Sequence, residues 1–426
     1  MKASDVFVAG GLPNVTYNPR GELDLEHSLK EYLELRHKIL SVSGPTKSGK
    51  TVLVRKVVPK ESGVWIPGGQ ISKIEIFWDL IIARTGAFTS TTVTDGNSSE
   101  EATGRNLKAS AGAFGIGGEA QSTVQRKDGK SGSVGSARVV VNAVTAMESL
   151  IRNAKPLIID DFHYIAPEIQ QEIIRSLKDP VFEGLPVILV SVPHRAFDAV
   201  KLEKEMTGRV KPLAITPWSE GDLLFIAERG FEILNVNCDI SIARRLAAES
   251  FGSPHLMQDF CQALCIQNGI KETLSQRSDI PPMRDWPTFF QGLSTQTSKL
   301  AFERLAQGPR QRTERIARRM RNGSTCDIYV AILLAIASTG PKPTLTYEDV
   351  RIGLRKVLAD DLPEANQVSF TLEKMSEIAR TEIEGEPVVD WDGQRLHVSD
   401  PFFAYYLKWG TNWSSESEPT SSQTPR

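Results

Sequence analysis

The sequence predicts an α/β fold: a doubly wound parallel sheet, then a helical domain, then a C-terminal winged-helix domain. Short apolar segments of strand length alternate with helical patterns over the first half of the chain, as in parallel β/α units. From residue 220 onward the patterns are helical, until two apolar segments flank the turn Asp392-Gly393, as in a β-hairpin. The 426 residues exceed the size of one ordinary core, so two or three domains are expected.

Composition is that of a soluble globular protein, with 40% hydrophobic and 24% charged residues. The net charge of -2 gives no overall basic signal for nucleic acid, so any basic patch has to be local. The four cysteines form no CxxC motif and only six histidines are present, which argues against structural zinc and favours a reducing compartment. The sequence shows neither an apolar run of about 18 residues nor an N-terminal h-region. We therefore expect a cytoplasmic protein without membrane contact.

The first predicted element is a helix over Asp24–Leu35, with apolar residues at helical spacing. It precedes the first strand, Lys38–Ser43, a position beside the nucleotide base in many nucleotide-binding folds. Tyr17 and Pro19 therefore become candidates for an adenine pocket. A simple packing segment is the alternative.

The segment after the first strand reads GPTKSGKT and fits the phosphate-loop pattern G-x-x-x-x-G-K-[ST]. A helix start at Thr51 follows, so the order is strand, glycine loop, helix. Backbone N–H groups of such a loop cradle phosphates, Lys50 reaches the β- and γ-phosphates, and the Thr51 hydroxyl ligates Mg²⁺. This predicts a P-loop NTPase with ATP and Mg²⁺ as ligands; a chance Gly/Ser-rich turn is the alternative. The predicted binding residues are Gly44, Pro45, Thr46, Lys47, Ser48, Gly49, Lys50 and Thr51.

Residues 86–137 interrupt the alternating pattern with a stretch dominated by Ser, Thr, Gly and Ala. Two turn signals, Gly117-Gly118 and Asp128-Gly129, favour one or two glycine-rich hairpins. A disordered loop is the alternative. An ordered projection here would suit contact with a partner or with DNA.

The segment Lys155–Asp161 is an apolar strand that ends in two acids. A buried parallel strand presents Asp160 at its carboxyl end, where Mg²⁺ and its waters bind, and Asp161 is then placed to polarise the attacking water. The alternative is a pair of helix N-cap residues. Ser191 ends the next apolar strand, Leu185–Ser191, where a polar residue can sense the γ-phosphate.

Arg209 follows the last helix of the predicted core and precedes the strand Pro212–Ile215. An arginine in this place can reach the nucleotide of a neighbouring subunit, and a surface salt bridge is the alternative. Residues 220–275 are predicted to be helical. His255 begins one of these helices, where it serves as a basic sensor or as part of an ordinary helix start.

The segment 307–321 is the one dense basic cluster, and we predict that it is helical. Phosphate contact is one interpretation; a solvated face, or ion pairing with an acidic neighbouring subunit, is the other. The candidate DNA-contacting residues are Arg310, Arg312, Arg315, Arg318, Arg319 and Arg321.

The last hundred residues have helix–helix–helix–hairpin order, which is the order of a winged helix. Helices are predicted at Asp327–Ala337, Tyr347–Leu358 and Gln367–Arg380, with strands at Val388–Trp391 and Arg395–Val398. The third helix is not strongly basic, so charge does not favour groove reading. The predicted domains are a core over 1–220 with the insertion 86–137, a helical lid over 221–290, an arginine-rich and winged-helix domain over 291–413, and a disordered tail over 414–426.

These motifs together resemble AAA+ ATPases over about residues 15–410. The nearer likeness is to origin-recognition-type and STAND-type members, in which a winged helix follows the lid. The pair Asp160-Asp161 is more similar to the STAND branch than to the Asp-Glu of most AAA+ proteins. The resemblance implies that Ser191 is a first sensor and Arg209 a trans-acting finger. No arginine stands at the second-sensor position, which fits a slow switch that assembles on ATP.

The leading functional hypothesis is an oligomerising, Mg²⁺-dependent ATPase switch, a ring or filament that controls an effector protein, as in anti-phage defence or DNA transposition. A second hypothesis is a DNA-binding initiator or loader that uses the arginine-rich segment and the winged helix. A third is a scaffold locked by ATP that it scarcely hydrolyses.

Overall fold

A computed structural model describes residues 1–87, 90–94, 135–139, 142–192, 208–294, 296–310, 315–383, 385 and 387–411. The chain divides into two compact units. The first comprises Met1–His27, Ser43–Val54 and Ala214–Arg426, and the second comprises Ser28–Val42 and Arg55–Leu213. The predicted tail 414–426 and most of the predicted insertion lie outside the described residues.

The elements up to residue 214 alternate between helix and strand. In chain order they are α1 (Ala3–Val6), α2 (Leu25–Leu35), β1 (Ile39–Ser43), α3 (Lys50–Val57), β2 (Val64–Pro67), α4 (Ile74–Thr85), β3 (Ser90–Thr94), β4 (Gly135–Val139), α5 (Asn142–Asn153), β5 (Leu157–Asp160), α6 (Pro167–Ser176), α7 (Lys178–Phe182), β6 (Val187–Ser191) and β7 (Val210–Ala214).

The elements after residue 214 are mainly helical. They are α8 (Glu220–Ile233), β8 (Val236–Asn237), α9 (Ile240–Glu249), α10 (Pro254–Gln267), β9 (Ser278–Asp279), α11 (Trp286–Gly292), α12 (Gln296–Gln307), β10 (Arg318–Arg319), β11 (Thr325–Cys326), α13 (Ile328–Ser338), β12 (Thr344–Thr346), α14 (Tyr347–Val357), α15 (Ala365–Thr381), β13 (Val389–Trp391), β14 (Arg395–Val398) and α16 (Pro401–Trp409).

The main sheet has the strand order β2-β5-β6-β1-β7. The pairs β2–β5 and β5–β6 are parallel. Strand β7 runs parallel to β1, because Ile39 N donates to Arg209 O at one end and Ile215 N donates to Ser43 O at the other. The chain crosses from β1 to the far edge at β2 and then returns through β5 and β6 to β7, which is the order reversal of a doubly wound sheet. The predicted α/β class is therefore confirmed.

Strands β1, β2, β5 and β6 are largely buried, because both faces of a parallel sheet are covered by helices. All residues of β6 are buried, and the core around them includes Ile159, Phe77 and Ile173. Tyr32 of α2 lies in the second unit, and its hydroxyl accepts a hydrogen bond of 2.8 Å from Val187 N. This bond ties α2 to the amino end of β6.

The two ends of the predicted glycine-rich insertion pair with each other. Strands β3 and β4 are antiparallel, with Ser90 opposite Val139 and Thr94 opposite Gly135. Residues 95–134, which contain both predicted turns, lie outside the described part of the chain.

The first unit contains two apolar clusters. One gathers α1 and the helices α8 to α11 around Phe7, Phe231 and Phe260. The other gathers α12 to α16 with the short strands around them. A buried carboxylate connects two of these helices, because Glu249 of α9 accepts hydrogen bonds from Lys408 Nζ and Trp409 Nε1 of α16, both at 2.8 Å.

The segment from α13 to β14 contains the three predicted helices and the predicted hairpin. Strand β12 adds a third strand, which pairs with β14, so the antiparallel sheet has the order β12-β14-β13. The carboxylate of Asp392 accepts from Gln394 N and Arg395 N, and Gly393 takes a φ of 94°. These contacts form the tight turn that the Asp-Gly pair predicts.

The prediction of an arginine-rich helix over 307–321 is wrong. Helix α12 ends at Gln307, Gly308 has a φ of 60°, and Pro309 follows, a sequence that stops a helix. Further on, Arg318 and Arg319 form β10, which pairs with β11. Arg310 lies in the segment after α12, and Arg312 lies in 311–314, outside the described residues.

Four of the described arginines of this cluster make contacts within the chain. Arg315 pairs with Asp327 at 2.6 Å and lies 4.5 Å from the centroid of the Tyr329 ring. Arg319 pairs with Asp360 at 2.8 Å. Hydrogen bonds of this group include Arg318 Nη2 to Gln367 Oε1, Arg321 Nε to Arg355 O, and Arg319 N to Asp360 Oδ2. The cluster therefore organises the fold of this region.

Across the described parts of the chain, none of the helices combines the length and the apolar character that crossing a membrane requires.

The close packing of α14 on α13 yields a first prediction. A Cβ at Gly353 would lie 2.5 Å from Ala335 O, a backbone atom of α13. Alanine favours a helix over glycine by about 1 kcal/mol, but overpacking costs about 1–3 kcal/mol. Gly353→Ala should therefore lower the midpoint of thermal unfolding measured by circular dichroism.

The matched control is Gly221→Ala in α8, where the nearest atom to the added Cβ is Ser219 Oγ at 3.9 Å. This variant should melt at or above the wild-type temperature. Equal midpoints for Gly353→Ala and wild type would contradict the packing argument.

Candidate nucleotide site

The phosphate loop joins β1 to α3 through a backbone that glycine makes possible. A Cβ on Gly44 would lie 2.8 Å from Ile215 O and 2.9 Å from Ile215 Cβ, closer than real Cβ atoms approach. Gly49 has a φ of 89° and Lys47 a φ of 59°, so the loop turns twice through the left-handed region. Helix α3 then begins at Lys50, and its first N–H groups have no partner within the helix.

Lys50 is the buried cation of this loop, with 7% of its surface exposed. Its Nζ donates to Gly44 O at 2.8 Å and to Pro45 O at 2.9 Å. Two hydroxyls of the loop, Thr46 Oγ1 and Ser48 Oγ, are buried and have no hydrogen-bond partner among the described residues. Such groups are costly unless a ligand or water supplies a partner. The loop therefore has the donors that a polyphosphate requires.

Two residues from later in the chain hold the loop from outside. Trp218 Nε1 donates to Ser48 O at 2.9 Å, and Ser253 Oγ lies 3.5 Å from Lys47 O. Ser253 also caps α10 by accepting from Leu256 N. The sequence analysis did not identify Trp218 as a site residue. The available signal was its position directly before the capping box of Ser219 and Asp222, a motif that fixes how the chain enters a helix.

Arg20 positions Trp218. Its guanidinium lies 5.2 Å from the centroid of the Trp218 ring and donates to Thr216 O, Pro217 O and Asp222 Oδ2. Arg20 is buried, so these bonds satisfy a desolvated charge. The sequence favoured its neighbours Tyr17 and Pro19, but the structure places Arg20 among the residues that support the loop.

Tyr17 and Pro19 lie on the same N-terminal segment. Tyr17 is half-buried, and burial together with the neighbouring Glu26 carboxylate raises the pKa of its hydroxyl. Pro19 is exposed. Their role in an adenine pocket remains a prediction.

His255 stands in the first turn of α10. Its ring lies 4.9 Å from the Phe402 ring and 3.6 Å from the Asp259 carboxylate. Burial, and secondarily the charge of Lys47, lower the pKa of His255 to about 4, and burial raises the pKa of Asp259 to about 6. At neutral pH the imidazole is therefore uncharged, and its contact with Asp259 is not an ion pair.

The acidic residues belong to the second unit, at the carboxyl end of β5. Asp160 is opposite Pro67 of β2. Asp161 takes a φ of 55° and precedes a short 3₁₀ turn, without a capping hydrogen bond from its carboxylate. A Cβ on Gly68 would lie 2.4 Å from Asp161 O, so glycine is required beside this turn. The alternative that Asp161 serves as an N-cap is not supported by this geometry.

Ser191 ends β6, the strand beside β5. It is 1% exposed, and its hydroxyl has no hydrogen-bond partner in the described part of the chain. The register Ile159 to Leu189 places Ser191 at the same sheet edge as Asp160 and Asp161. Sequence reasoning therefore grouped these three residues at one edge of one unit, as the structure has them.

Arg209 lies at the opposite, amino-terminal ends of the strands of this sheet. It directly precedes β7, and its carbonyl accepts from Ile39 N at the amino end of β1. A strand of five residues spans about 16 Å. The structure thus separates Arg209 from Asp160 and Ser191 by the length of the strands.

The metal that the motifs imply is Mg²⁺, with Thr51 and Asp160 as predicted ligands. Hydroxyl and carboxylate oxygens are the ligands that Mg²⁺ prefers. Within the described residues no cluster of three or more His, Cys, Asp or Glu side chains forms a metal cage. Mg²⁺ usually binds through one or two protein oxygens, waters and substrate phosphates, and its binding here stays a prediction.

Comparison with known proteins gives similarity in structure alone. No protein-family model matches the sequence, and no curated protein is significantly similar to it. The chain is similar to Cdc6p from Pyrobaculum aerophilum, with 13% identity, 95% of this chain and 97% of that chain covered, and a TM-score of 0.41.

Two further solved structures are similar to it. ORC2 from Aeropyrum pernix has 13% identity, 94% and 95% coverage of the two chains, and a TM-score of 0.44. A Walker-type ATPase of Pyrococcus abyssi has 14% identity, 91% and 95% coverage, and a TM-score of 0.48. The resemblance to STAND ATPases stays a prediction.

The bond between Trp218 and Ser48 gives a second prediction. Trp218→Phe keeps an aromatic ring under Arg20 but removes the N–H donor. A hydrogen bond contributes about 0.5–1.5 kcal/mol net, so affinity for ATP, the predicted ligand, should fall about twofold to tenfold, as measured by calorimetric titration.

The control for this experiment is Trp286→Phe in α11, where the indole stacks on Phe290 at 5.4 Å. That variant should bind ATP like wild type. Unchanged affinity in Trp218→Phe would show that the indole does not support the loop.

Proposed function

We propose that this protein is a Mg²⁺-dependent ATPase that assembles with copies of itself and acts as a molecular switch. The observation that carries the proposal is the loop between β1 and α3. It combines a buried lysine bonded to loop carbonyls with two buried hydroxyls that lack partners among the described residues. In the proposed bound state, phosphate oxygens accept hydrogen bonds from these groups.

The roles of individual residues follow from their chemistry. Lys50 exchanges its loop carbonyls for the β- and γ-phosphates, and Thr51 and Asp160 hold Mg²⁺. The metal neutralises charge on the phosphates when bound. Asp161 orients and polarises the attacking water, a role supported by its carboxylate not being used as a helix cap. Ser191 offers the γ-phosphate a buried hydroxyl that has no hydrogen-bond partner among the described residues.

Assembly is supported by the place of Arg209. Arg209 lies at the amino-terminal ends of the strands, whereas the proposed nucleotide site lies at their carboxyl-terminal ends. Arg209 is therefore badly placed to contact the nucleotide bound to its own chain. A neighbouring subunit in a ring or filament is the natural recipient. Turnover without such a neighbour would be slow, because His255, near the second-sensor position, is uncharged at neutral pH.

The proposed domains are the ATPase core over 1–220, a helical lid over 221–290 and a C-terminal domain over 291–413. The C-terminal elements support a winged helix: three helices accompany a three-stranded antiparallel sheet with a tight Asp-Gly turn. We propose that this module contacts an effector protein and that the contact depends on which nucleotide is bound, as in host-defence systems.

DNA is the second candidate partner, as for an initiator, loader or transposition regulator. The winged-helix order supports it. The arginine cluster supports it less than its sequence suggested, since Arg315 and Arg319 are paired with Asp327 and Asp360. These pairs already neutralise charges that phosphates would otherwise attract.

The third prediction concerns Lys50. Lys50→Ala removes the ammonium group that donates to the Gly44 and Pro45 carbonyls. Charge-assisted hydrogen bonds contribute about 1.5–3 kcal/mol each, so ATP affinity should fall roughly a hundredfold or more, measured by calorimetry. Lys73→Ala, at an exposed lysine before α4, is the control.

A companion variant separates an enzyme from an ATP-locked scaffold. Asp161→Asn should bind ATP and assemble but release little phosphate. If wild type also fails to release phosphate under assembling conditions, the scaffold is the correct function. Wild-type ATP affinity in Lys50→Ala would contradict the assignment of the loop Gly44–Thr51 as the ATP-binding site.

The fourth prediction concerns Arg209. Arg209→Ala should leave ATP affinity unchanged in dilute protein, where subunits are separate. At concentrations that give assembly, phosphate release should drop by roughly a thousandfold or more if the arginine acts in trans. Lys211→Ala, which removes a surface pair with Glu31, is the matched control. Wild-type turnover in assembled Arg209→Ala would exclude the finger role.

A further inference from the structure

The second unit contains a cavity that shares Asp160 with the proposed Mg²⁺ site and is otherwise lined by residues to which the proposed ATPase assigns no role. Its volume is about 380 Å³, and its lining includes Val64, Trp65, Ile66 and Pro67 of β2, the edge strand of the main sheet. This volume lies within the range of small-molecule sites, about 300–1,000 Å³. The charged residues that line it are Arg55, Lys60, Arg84, Lys155, Glu61 and Asp160.

The charge of this cavity favours an anion. Four cations face two carboxylates along the same wall. Lys155 Nζ donates to the backbone carbonyl of Glu61 at 2.8 Å, not to a carboxylate. Arg84 lies in the last turn of α4 and is exposed, so its guanidinium is accessible to a ligand. The excess of positive charge is therefore available to phosphate or carboxylate oxygens.

Two buried donors in the lining lack acceptors. Arg55 Nε and Trp65 Nε1 are both buried, and neither has a hydrogen-bond partner among the residues that the structure describes. The Arg55 guanidinium lies 5.3 Å from the centroid of the Trp65 ring, and Trp65 is only 8% exposed. An unsatisfied buried donor loses its bonds to water without gaining others, which destabilises the fold. A bound acceptor would offset that loss.

The short edge strand disfavours an added peptide strand. Val64 N donates to Pro156 O, so Val64 and Ile66 direct their backbone groups toward β5. Within β2 this leaves Trp65 with an outward N–H, because Pro67 has none. A peptide lying along β2 would gain little backbone pairing. A compact ligand that reaches the side-chain donors gains more.

We propose that this cavity binds a small phosphorylated anion, with Arg84, Lys155 and the Arg55–Trp65 pair as its recognition groups. The ligand that we propose carries at least two negative charges, since four cationic side chains outnumber the two carboxylates in the lining. The site is separate from the phosphate loop and does not depend on ATP hydrolysis.

The test titrates inorganic pyrophosphate calorimetrically into the full-length Lys50→Ala protein, in which the phosphate loop has lost its lysine. One equivalent should bind. Arg84→Ala and Lys155→Ala, each added to Lys50→Ala, should weaken that binding at least tenfold. Lys73→Ala in the same background should leave it unchanged, because Lys73 does not line the cavity.

A second variant distinguishes weakened binding from unfolding of the protein. Trp65→Phe in the Lys50→Ala background keeps an aromatic ring beside Arg55 and removes the N–H donor together with part of the indole, so pyrophosphate affinity should fall severalfold while the circular dichroism spectrum stays that of the folded protein. Absence of binding at millimolar pyrophosphate, or binding insensitive to Arg84→Ala, would overturn the proposal. A single-stranded oligonucleotide that binds in an Arg84-dependent manner where pyrophosphate does not would also overturn it, in favour of nucleic acid.

Discussion

The close approach of Gly44 to Ile215 constrains the phosphate loop and everything that depends on it. With 2.8 Å between a hypothetical Cβ and Ile215 O, no side chain fits where the chain leaves β1. The backbone therefore turns back on itself, and Lys50 reaches the carbonyls of Gly44 and Pro45. The same turn brings Ser48 O to the indole of Trp218. A bulkier residue at position 44 would displace all of these contacts together.

Buried polar groups that have no hydrogen-bond partner among the described residues mark both binding sites proposed for this protein. In the loop they are the hydroxyls of Thr46 and Ser48, and in the cavity along β2 they are Arg55 Nε and Trp65 Nε1. Folded proteins rarely leave such groups unpaired, because the desolvation cost is not offset. In each site, a ligand with anionic oxygens would accept hydrogen bonds from these two groups. This shared physical requirement is the reason for proposing anions in both places.

The arginine cluster shows how tertiary pairing changes the meaning of a charge pattern. The sequence places six arginines between residues 310 and 321, which predicted a basic helix. Two of these arginines pair with acids from later in the chain, Arg315 with Asp327 and Arg319 with Asp360. Spacing within one segment carries no information about partners that only folding brings near. The helix prediction failed for a local reason as well, since Gly308-Pro309 ends α12.

The sequence by itself determined the α/β class, the loop Gly44–Thr51 and the strand that ends at Asp160, because apolar periodicity and glycine spacing are local properties of the chain. The tertiary structure alone decided that Trp218 supports the loop and that Arg209 lies at the opposite sheet edge from Asp160. These relations depend on strand order and register, and two residues far apart in sequence become neighbours only when the sheet fixes both.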